Sequence, residues 1–177
     1  MSTATRSGTR RQGTGVPLGA DAGILIVRLV IGVLFIGHGL GKLFGWFGQG
    51  GVEGTGAFFE EVGYSPGEEL AIFTGIVEVA AGLLLVLGFL IPLAAAMIIG
   101  DMMNAAWVKS TDGFWVADGG YEYEFVLIMV ALALAVTGPG IYSVDRGRDW
   151  FRGRAGGVAV AVVLGLVSGI IMLVIRD

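Results

Sequence analysis

Long apolar blocks separated by short polar connections dominate the pattern of this chain. Five blocks reach the length of a transmembrane helix, about 20 residues for a hydrocarbon core of roughly 30 Å; they cover residues 23–47, 70–90, 92–109, 121–138 and 157–175. The second and third blocks are joined by a turn so tight that their helices must be antiparallel neighbours. The pattern therefore predicts an all-α integral membrane bundle.

The composition supports this fold class and narrows the chemistry. Hydrophobic residues make up 55% of the chain and charged residues 15%, whereas an average soluble domain has about 25% charged residues. The absence of cysteine excludes disulfides, iron–sulfur clusters and thiol redox chemistry within this chain. A single histidine excludes haem held by two histidines, and no metal site or nucleic-acid partner is predicted. Any electrons must therefore reside on a bound small molecule or a partner.

The distribution of charge predicts three segments and an orientation. Residues 1–22 are rich in Ser, Thr, Gly and Arg and predict a disordered cytoplasmic tail. Residues 23–146 form the membrane domain, and residues 147–177 add a basic loop and a further helix. The loop between the first two blocks carries five glutamates and no base. The positive-inside rule then places the N-terminus in the cytoplasm and the C-terminus outside a prokaryotic plasma membrane.

Glycine spacing yields two local predictions. Gly37, Gly41 and Gly45 recur four apart, as do Gly165 and Gly169, and small residues at this interval let membrane helices approach closely. We expect them to pack helices within one bundle. The glycine-rich run 48–56 predicts a flexible exit from the first helix, followed by a short interfacial helix over 55–62.

Polar and ionisable residues within the predicted helices are the candidate functional residues. A charge at the bilayer centre costs roughly 2.5–3.5 kcal/mol on insertion scales, so it needs a partner or a wet cavity. The candidates are Arg28, His38, Lys42, Glu78, Asp101, Asn104, Glu122 and Glu124. With a rise of about 1.5 Å per residue, His38, Glu78 and Asp101 lie at similar depths, roughly 12–14 Å from the outer ends of their helices. Together with Lys42, which lies nearer the surface, they can meet.

His38, Glu78 and Asp101 are the candidate catalytic, proton-handling residues, because histidine titrates near neutrality and carboxyl groups exchange protons. The alternative is a structural ion network that holds the bundle together.

The candidate substrate-binding residues are Arg28, Lys42, Asn104 and Glu122. Arg28 alternatively extends to the cytoplasmic interface. Glu122 and Glu124 are two residues apart on one helix, so at most one of them faces the interior.

Several motifs together resemble the DoxX family of small membrane proteins. They include Arg28-Leu29, Phe35 to Gly39, Lys42 to Gly45, Gly75 to Glu78, Gly82 to Pro92, Gly119 to Tyr123 and Gly138 to Gly140. The resemblance covers residues 24–146 and implies a four-helix core, to which this chain adds a fifth transmembrane helix. The motif favours Glu122 over Glu124 as the interior acid.

The resemblance also carries a functional expectation. The family is similar to the DoxD-type membrane subunit of thiosulfate:quinone oxidoreductases, and some members are linked to complexes that handle oxidative and thiol stress. It implies a subunit of a quinone-linked oxidoreductase, with a quinone as the candidate ligand and a soluble redox partner; whether the chain is catalytic by itself stays open. The alternatives are a carrier or channel for a small solute or protons, and a non-catalytic assembly subunit.

Overall fold

Six α-helices and three short 3-10 turns make up the part of the chain that the computed structural model describes, residues 18–148, 154–174 and 176. The helices are α1 (Leu18–Phe44), α2 (Gly51–Glu61), α3 (Gly67–Leu87), α4 (Ile91–Lys109), α5 (Glu122–Thr137) and α6 (Arg154–Val174). No strand occurs within these residues, and the prediction of an all-α membrane bundle is confirmed.

Four of the described helical segments are long and apolar enough to cross a membrane: Gly19–Phe44, Gly67–Leu87, Ile91–Asp112 and Ala155–Val174. The fifth predicted crossing corresponds to α5, which has 16 residues and is therefore only about 24 Å long.

Contacts at its two ends nevertheless show that α5 runs the length of the bundle. Glu124 in its first turn pairs with Lys109 at the end of α4. Pro139, just beyond its last residue, accepts a hydrogen bond from Arg28 near the start of α1. On α6, Gly165 lies against Ile99 of α4 and Gly169 against Met103, so α4 and α6 are parallel. A connection between parallel helices must return across the bundle, and α5 makes that return.

The interface between α1 and α3 depends on glycines other than those singled out by spacing. A Cβ at Gly32 would collide with the backbone of Gly82, and a Cβ at Gly39 would collide with the backbone of Gly75. These pairs bring the two antiparallel helices into close contact, as small residues do in membranes. The predicted packing role of Gly37 and Gly41 is wrong, because these glycines face Phe47 and Gln49 in the turn after α1. Gly165 and Gly169 do pack α6 against α4.

The core is built around α4, which lies between α3, α5 and α6. Its small and branched side chains are almost fully inaccessible: Ile91, Ala94, Ala95, Ile98 and Ile99. Large apolar side chains on the outer faces of the bundle are exposed to the surroundings, for example Val33, Phe73 and Ile171. A bundle with apolar residues both inside and outside is the pattern expected in lipid.

Two boundaries differ from the predictions. α1 begins at Leu18, five residues before the predicted start, and Asp21 in its first turn accepts a hydrogen bond from the backbone of Ile141. α2 begins at Gly51, so the second half of the glycine-rich run is helical rather than a flexible exit. Residues 1–17, with their arginines, and residues 149–153 lie outside the described residues, as does the side chain of Arg154.

Candidate functional site

Lys42, Glu78 and Asp101 meet inside the bundle and form what we call the polar cluster. Lys42 Nζ donates a hydrogen bond to Glu78 Oε1 at 2.6 Å, and the Glu78 side chain is only 3% exposed. The carboxyl group of Asp101 acts electrostatically on Lys42 and lies within hydrogen-bonding reach of Glu78. Three helices, α1, α3 and α4, thus each contribute one ionisable side chain at one depth.

The polar cluster has an unbalanced charge. Two carboxyl groups face one ammonium group, so one negative charge remains when all three are ionised. Glu78 Oε2 and Asp101 Oδ2 are buried and have no hydrogen-bond donor among the described residues. A proton shared by the two carboxyl groups would remove the excess charge and supply the missing donor, since close like charges disfavour double ionisation. The arrangement can hold one proton between the two carboxyl groups.

A second ion pair lies beside the polar cluster. Lys109 Nζ is 2.7 Å from Glu124 Oε1; the Glu124 side chain is 5% exposed and the Lys109 side chain 42% exposed. Glu124 Oε2 is a further buried oxygen without a donor among the described residues. This pair links the interior of the bundle to its surface at the α4 to α5 connection.

The preference for Glu122 as the interior acid of α5 is wrong. Glu122 Oε2 accepts a hydrogen bond from the backbone N–H of Val116 in an exposed turn, while Glu124 is the buried acid. Glu124 shares its helix face with Leu127, Ala131 and Leu134, all buried. The positions of alanine do not identify this face, because Ala133, on the side of Glu122, is exposed.

His38 lies at the rim of a small cavity rather than inside the polar cluster. This cavity has a volume of about 160 Å³ and is also lined by Lys42, Glu78, Tyr123 and Glu124. The His38 side chain is exposed at the surface of α1, yet it lies close enough to Lys42 and Asp101 to interact electrostatically with both. His38 therefore lies between the small cavity and the outer surface of α1.

A large cavity of about 970 Å³ opens on the other side of the polar cluster. Lys42, Asp101 and Lys109 contribute charge to its wall, and most of the remaining wall is apolar, with Phe58 and Phe59 from α2 among the lining residues. Its volume lies at the upper end of the range for small-molecule sites, about 300–1,000 Å³. Because Lys42 lines both cavities, the polar cluster stands between them.

Asn104 lines the large cavity next to Asp101 and is held by its neighbours. Its amide nitrogen donates to the carbonyl oxygens of Gly100 and Gly169, and its amide oxygen accepts from the hydroxyl of Tyr64 at 3.0 Å. Asn104 thereby connects α4 to α6 and to the turn before α3. Among the described residues, no group of three or more His, Asp or Glu side chains is arranged to hold a metal ion.

Arg28 lies at the opposite end of the bundle, so the structure contradicts its placement with the substrate-binding residues. Its guanidinium is completely buried and donates to four carbonyl oxygens, those of Leu85, Val86, Pro139 and Tyr142. Two of these acceptors, the carbonyls of Leu85 and Val86, belong to the last turn of α3, which lacks the N–H partners of an interior turn. The Leu85 carbonyl also accepts the N–H of Gly88. Arg28 thus joins the C-terminal end of α3 to the connection after α5. Its side chain does not extend to the cytoplasmic interface, as the alternative prediction had it.

Comparison with known proteins identifies the family to which this arrangement belongs. The model of the DoxX family matches residues 23–111, half of the chain, and this stretch contains all three residues of the polar cluster together with His38 and Lys109. The chain belongs to the DoxX family. The family match ends before α5, so Glu124 and the whole of α6 lie beyond it.

Two curated relatives are membrane proteins by name. The chain is 32% identical over 130 residues to the inner membrane protein YqjF of Escherichia coli strain K12, covering 71% of this chain and 92% of the relative. It is 27% identical over 134 residues to the uncharacterized membrane protein Rv3486 of Mycobacterium tuberculosis, covering 70% and 79%. No solved structure matches the chain. This DoxX protein is accordingly a multi-pass plasma membrane protein.

Proposed function

We propose that this DoxX protein is the membrane subunit of a quinone-linked oxidoreductase, in which the polar cluster exchanges protons with the ligand of the large cavity. The observation that carries the proposal is the position of the polar cluster, between an apolar cavity of about 970 Å³ and a small polar one. A quinone, when bound, would supply the redox chemistry, since it takes up and releases electrons together with protons.

The lining of the large cavity fits such a ligand. Phe58, Phe59 and Phe73 offer apolar surface to a ring and a hydrocarbon tail. At the polar side, Lys42 offers an ammonium group and Asp101 a carboxyl group. Apolar walls with a few convergent polar groups are the usual composition of a small-molecule site.

The residues of the polar cluster divide the proton handling between them. Asp101 lines the large cavity, whereas Glu78 lines the small one, and their carboxyl groups are adjacent. A proton passing between these two carboxyl groups would therefore move from one cavity to the other. Lys42 holds one oxygen of Glu78 and leaves the second oxygen free for this exchange. His38, at the rim of the small cavity, would deliver or receive protons.

Electrons must come from outside this chain, because it has no cysteine and therefore no thiol or iron–sulfur centre of its own. A soluble redox subunit is the proposed donor. With the N-terminus in the cytoplasm, as the positive-inside rule favours, the polar cluster would lie in the outer half of the membrane, and a reporter fused after residue 177 would be exported.

The proposal is tested by purification in a mild detergent followed by native mass spectrometry and by titration with decylubiquinone. We expect a bound quinone, a co-purifying redox subunit and quenching of tryptophan fluorescence on titration. Asp101→Asn and Glu78→Gln should lower quinone-dependent turnover of the reconstituted complex by about 100-fold, the usual contribution of a positioned acid or base. Glu53→Gln, an exposed acid on α2, is the control. Unchanged turnover in both Glu78→Gln and His38→Ala would show that the mechanism is wrong.

One observation favours a second function, a carrier of protons or a small solute. The two cavities share Lys42 as a common wall residue, so a path can run through the polar cluster. Flux into proteoliposomes without an electron donor would support this function, and its absence alongside quinone-dependent turnover would support the oxidoreductase. An assembly subunit would instead bind the redox partner while every polar-cluster variant stays active.

A further inference from the structure

The second ion pair, between Lys109 and Glu124, has no part in the exchange between Glu78 and Asp101. Glu124 is buried in the first turn of α5, on the core-facing side of that helix. A buried ion pair stabilises a bundle less well than apolar packing does. The free oxygen of Glu124 adds a further cost, because a buried polar atom without a partner is destabilising.

The small cavity connects Glu124 to the polar cluster. Both Glu124 and Glu78 line it, and each has its Oε1 bound by a lysine and its Oε2 without a donor among the described residues. A volume of about 160 Å³ has room for about five water molecules at roughly 30 Å³ each. Water there would find several polar partners, as an ordered site requires. The remaining titratable groups on its wall are His38, Lys42 and Tyr123.

We propose that Glu124 is a proton relay residue, which exchanges protons between water at the Lys109 surface and Glu78 through water held in the small cavity. A proton leaves the Glu124 carboxyl group for a cavity water, and a proton of that water chain passes to Glu78 Oε2. Glu124 is then reprotonated from the surface beside Lys109, whose side chain is 42% exposed. No bond other than O–H bonds is made or broken, and no electron moves.

This inference deepens the proposed function, because it names the route by which the polar cluster reaches water. It also assigns a role to a residue that lies beyond the family match. Its test uses neither quinone nor electron donor, so its failure and the failure of the proposed function are distinguishable.

The experiment is infrared spectroscopy of the full-length protein in lipid, transferred rapidly from H₂O to D₂O. The infrared band of protonated carboxyl groups shifts as the shared proton of the polar cluster is replaced by deuterium. The part of the band that is lost in Glu78→Gln is the part that comes from the polar cluster. We expect Glu124→Gln to slow this exchange by roughly 100-fold, in line with loss of one positioned acid–base group. Glu122→Gln, a matched change at the first residue of α5, where the carboxyl group binds the exposed backbone N–H of Val116, should exchange as fast as the parent protein.

Two further variants separate a relay from a merely structural ion pair. Glu124→Asp keeps an ionisable group and should restore most of the exchange rate. Leu127→Phe adds bulk to the wall of the small cavity without changing any charge, and it should slow exchange as Glu124→Gln does. Exchange at the parental rate in both Glu124→Gln and Leu127→Phe would overturn the proposal, and so would equal slowing in Glu122→Gln.

Discussion

Lys42 Nζ lies 2.6 Å from Glu78 Oε1, and this contact joins α1 to α3 inside the bundle. Each partner lies three residues after a glycine of the tight α1–α3 contact, Gly39 and Gly75. Residues three apart on a helix lie on one face, so the glycines that bring the backbones together also bring the two charges together. The ion pair and the close packing are therefore one feature of the interface.

The two charges of this pair should be coupled in their effect on the free energy of unfolding. Lys42→Met leaves Glu78 without its cation, and Glu78→Gln leaves a buried ammonium with only Asp101 nearby; breaking a buried pair in this way costs about 3–5 kcal/mol. The double variant Lys42→Met/Glu78→Gln should be less destabilised than the sum of the two. Equilibrium unfolding in mixed micelles, followed by tryptophan fluorescence, measures the coupling. Additive single effects would show that the pair is not coupled.

Gly39→Ala should loosen the contact between α1 and α3. The added methyl group would meet the Gly75 carbonyl and Val79, and overpacking of this kind typically costs about 1–3 kcal/mol. Gly23→Ala is the matched control on the same helix, because no atom of the described residues lies within 4 Å of its Cβ position. We expect the control to be neutral or slightly stabilising in the same unfolding assay. Equal effects of both substitutions would point to helix propensity rather than packing.

Arg28→Lys should destabilise the protein while leaving the two cavities intact. A lysine cannot serve four carbonyl oxygens from two different segments, and a hydrogen bond from a charged donor contributes about 1.5–3 kcal/mol. A loss of about 3 kcal/mol or more is expected. Arg146→Lys, at an exposed position, is the control. A large loss of quinone binding without a loss of stability would instead return Arg28 to the ligand site.

The part of the site that could be predicted is the part fixed by the depth of each residue along its helix. Helix boundaries and a fixed rise per residue place Lys42, Glu78 and Asp101 at compatible depths, and the structure brings them together. The face of α5 was harder to assign. Its sequence is apolar on all sides, so no polar stripe distinguishes Glu122 from Glu124.

Two other features depend on contacts that local patterns do not contain. The acceptors of Arg28 lie up to 114 residues away in the chain, in the turn after α5 and at the end of α3. The chain also contains 32 glycines, so spacing alone could not separate Gly32 and Gly39, which contact α3, from Gly37 and Gly41, which face the following turn.

Gly165→Leu should detach α6 from α4 and open the large cavity. A side chain at 165 would collide with Ile99 and the Ala96 carbonyl, whereas no described residue lies within 4 Å of the Cβ position of Gly156. Ser168 and Met172 of α6 line the large cavity, so their displacement should weaken decylubiquinone binding by about tenfold, which corresponds to about 1.4 kcal/mol. Gly156→Leu should bind as the parent protein does. Unchanged decylubiquinone binding in Gly165→Leu would show that α6 does not contribute to the binding site in the large cavity.

Tyr64 should make the protein sensitive to alkaline pH. It lies between α2 and α3, outside the membrane-spanning segments. Burial raises the pKa of its hydroxyl above the ordinary value of about 10, and the nearby Arg176 opposes this only in part. The folded state therefore keeps the proton at a pH where the unfolded chain loses it. By linkage, the contribution of Tyr64 to the free energy of unfolding is constant below pH of about 10. The free energy of unfolding then falls as pH rises above that value.

The measurement that isolates this effect is thermal unfolding in detergent, followed by far-ultraviolet circular dichroism between pH of about 8 and 12, a range that brackets the ordinary tyrosine pKa. Tyr64→Phe should lose about 1 kcal/mol at neutral pH, because the hydrogen bond to Asn104 is removed, and its stability should fall less steeply above pH of about 10. Tyr142→Phe changes an exposed ring and keeps the carbonyl that holds Arg28, so it should retain the parental slope. If Tyr64→Phe retained that slope as well, the alkaline loss would have to arise from another group, and the turn between α2 and α3 would not control it.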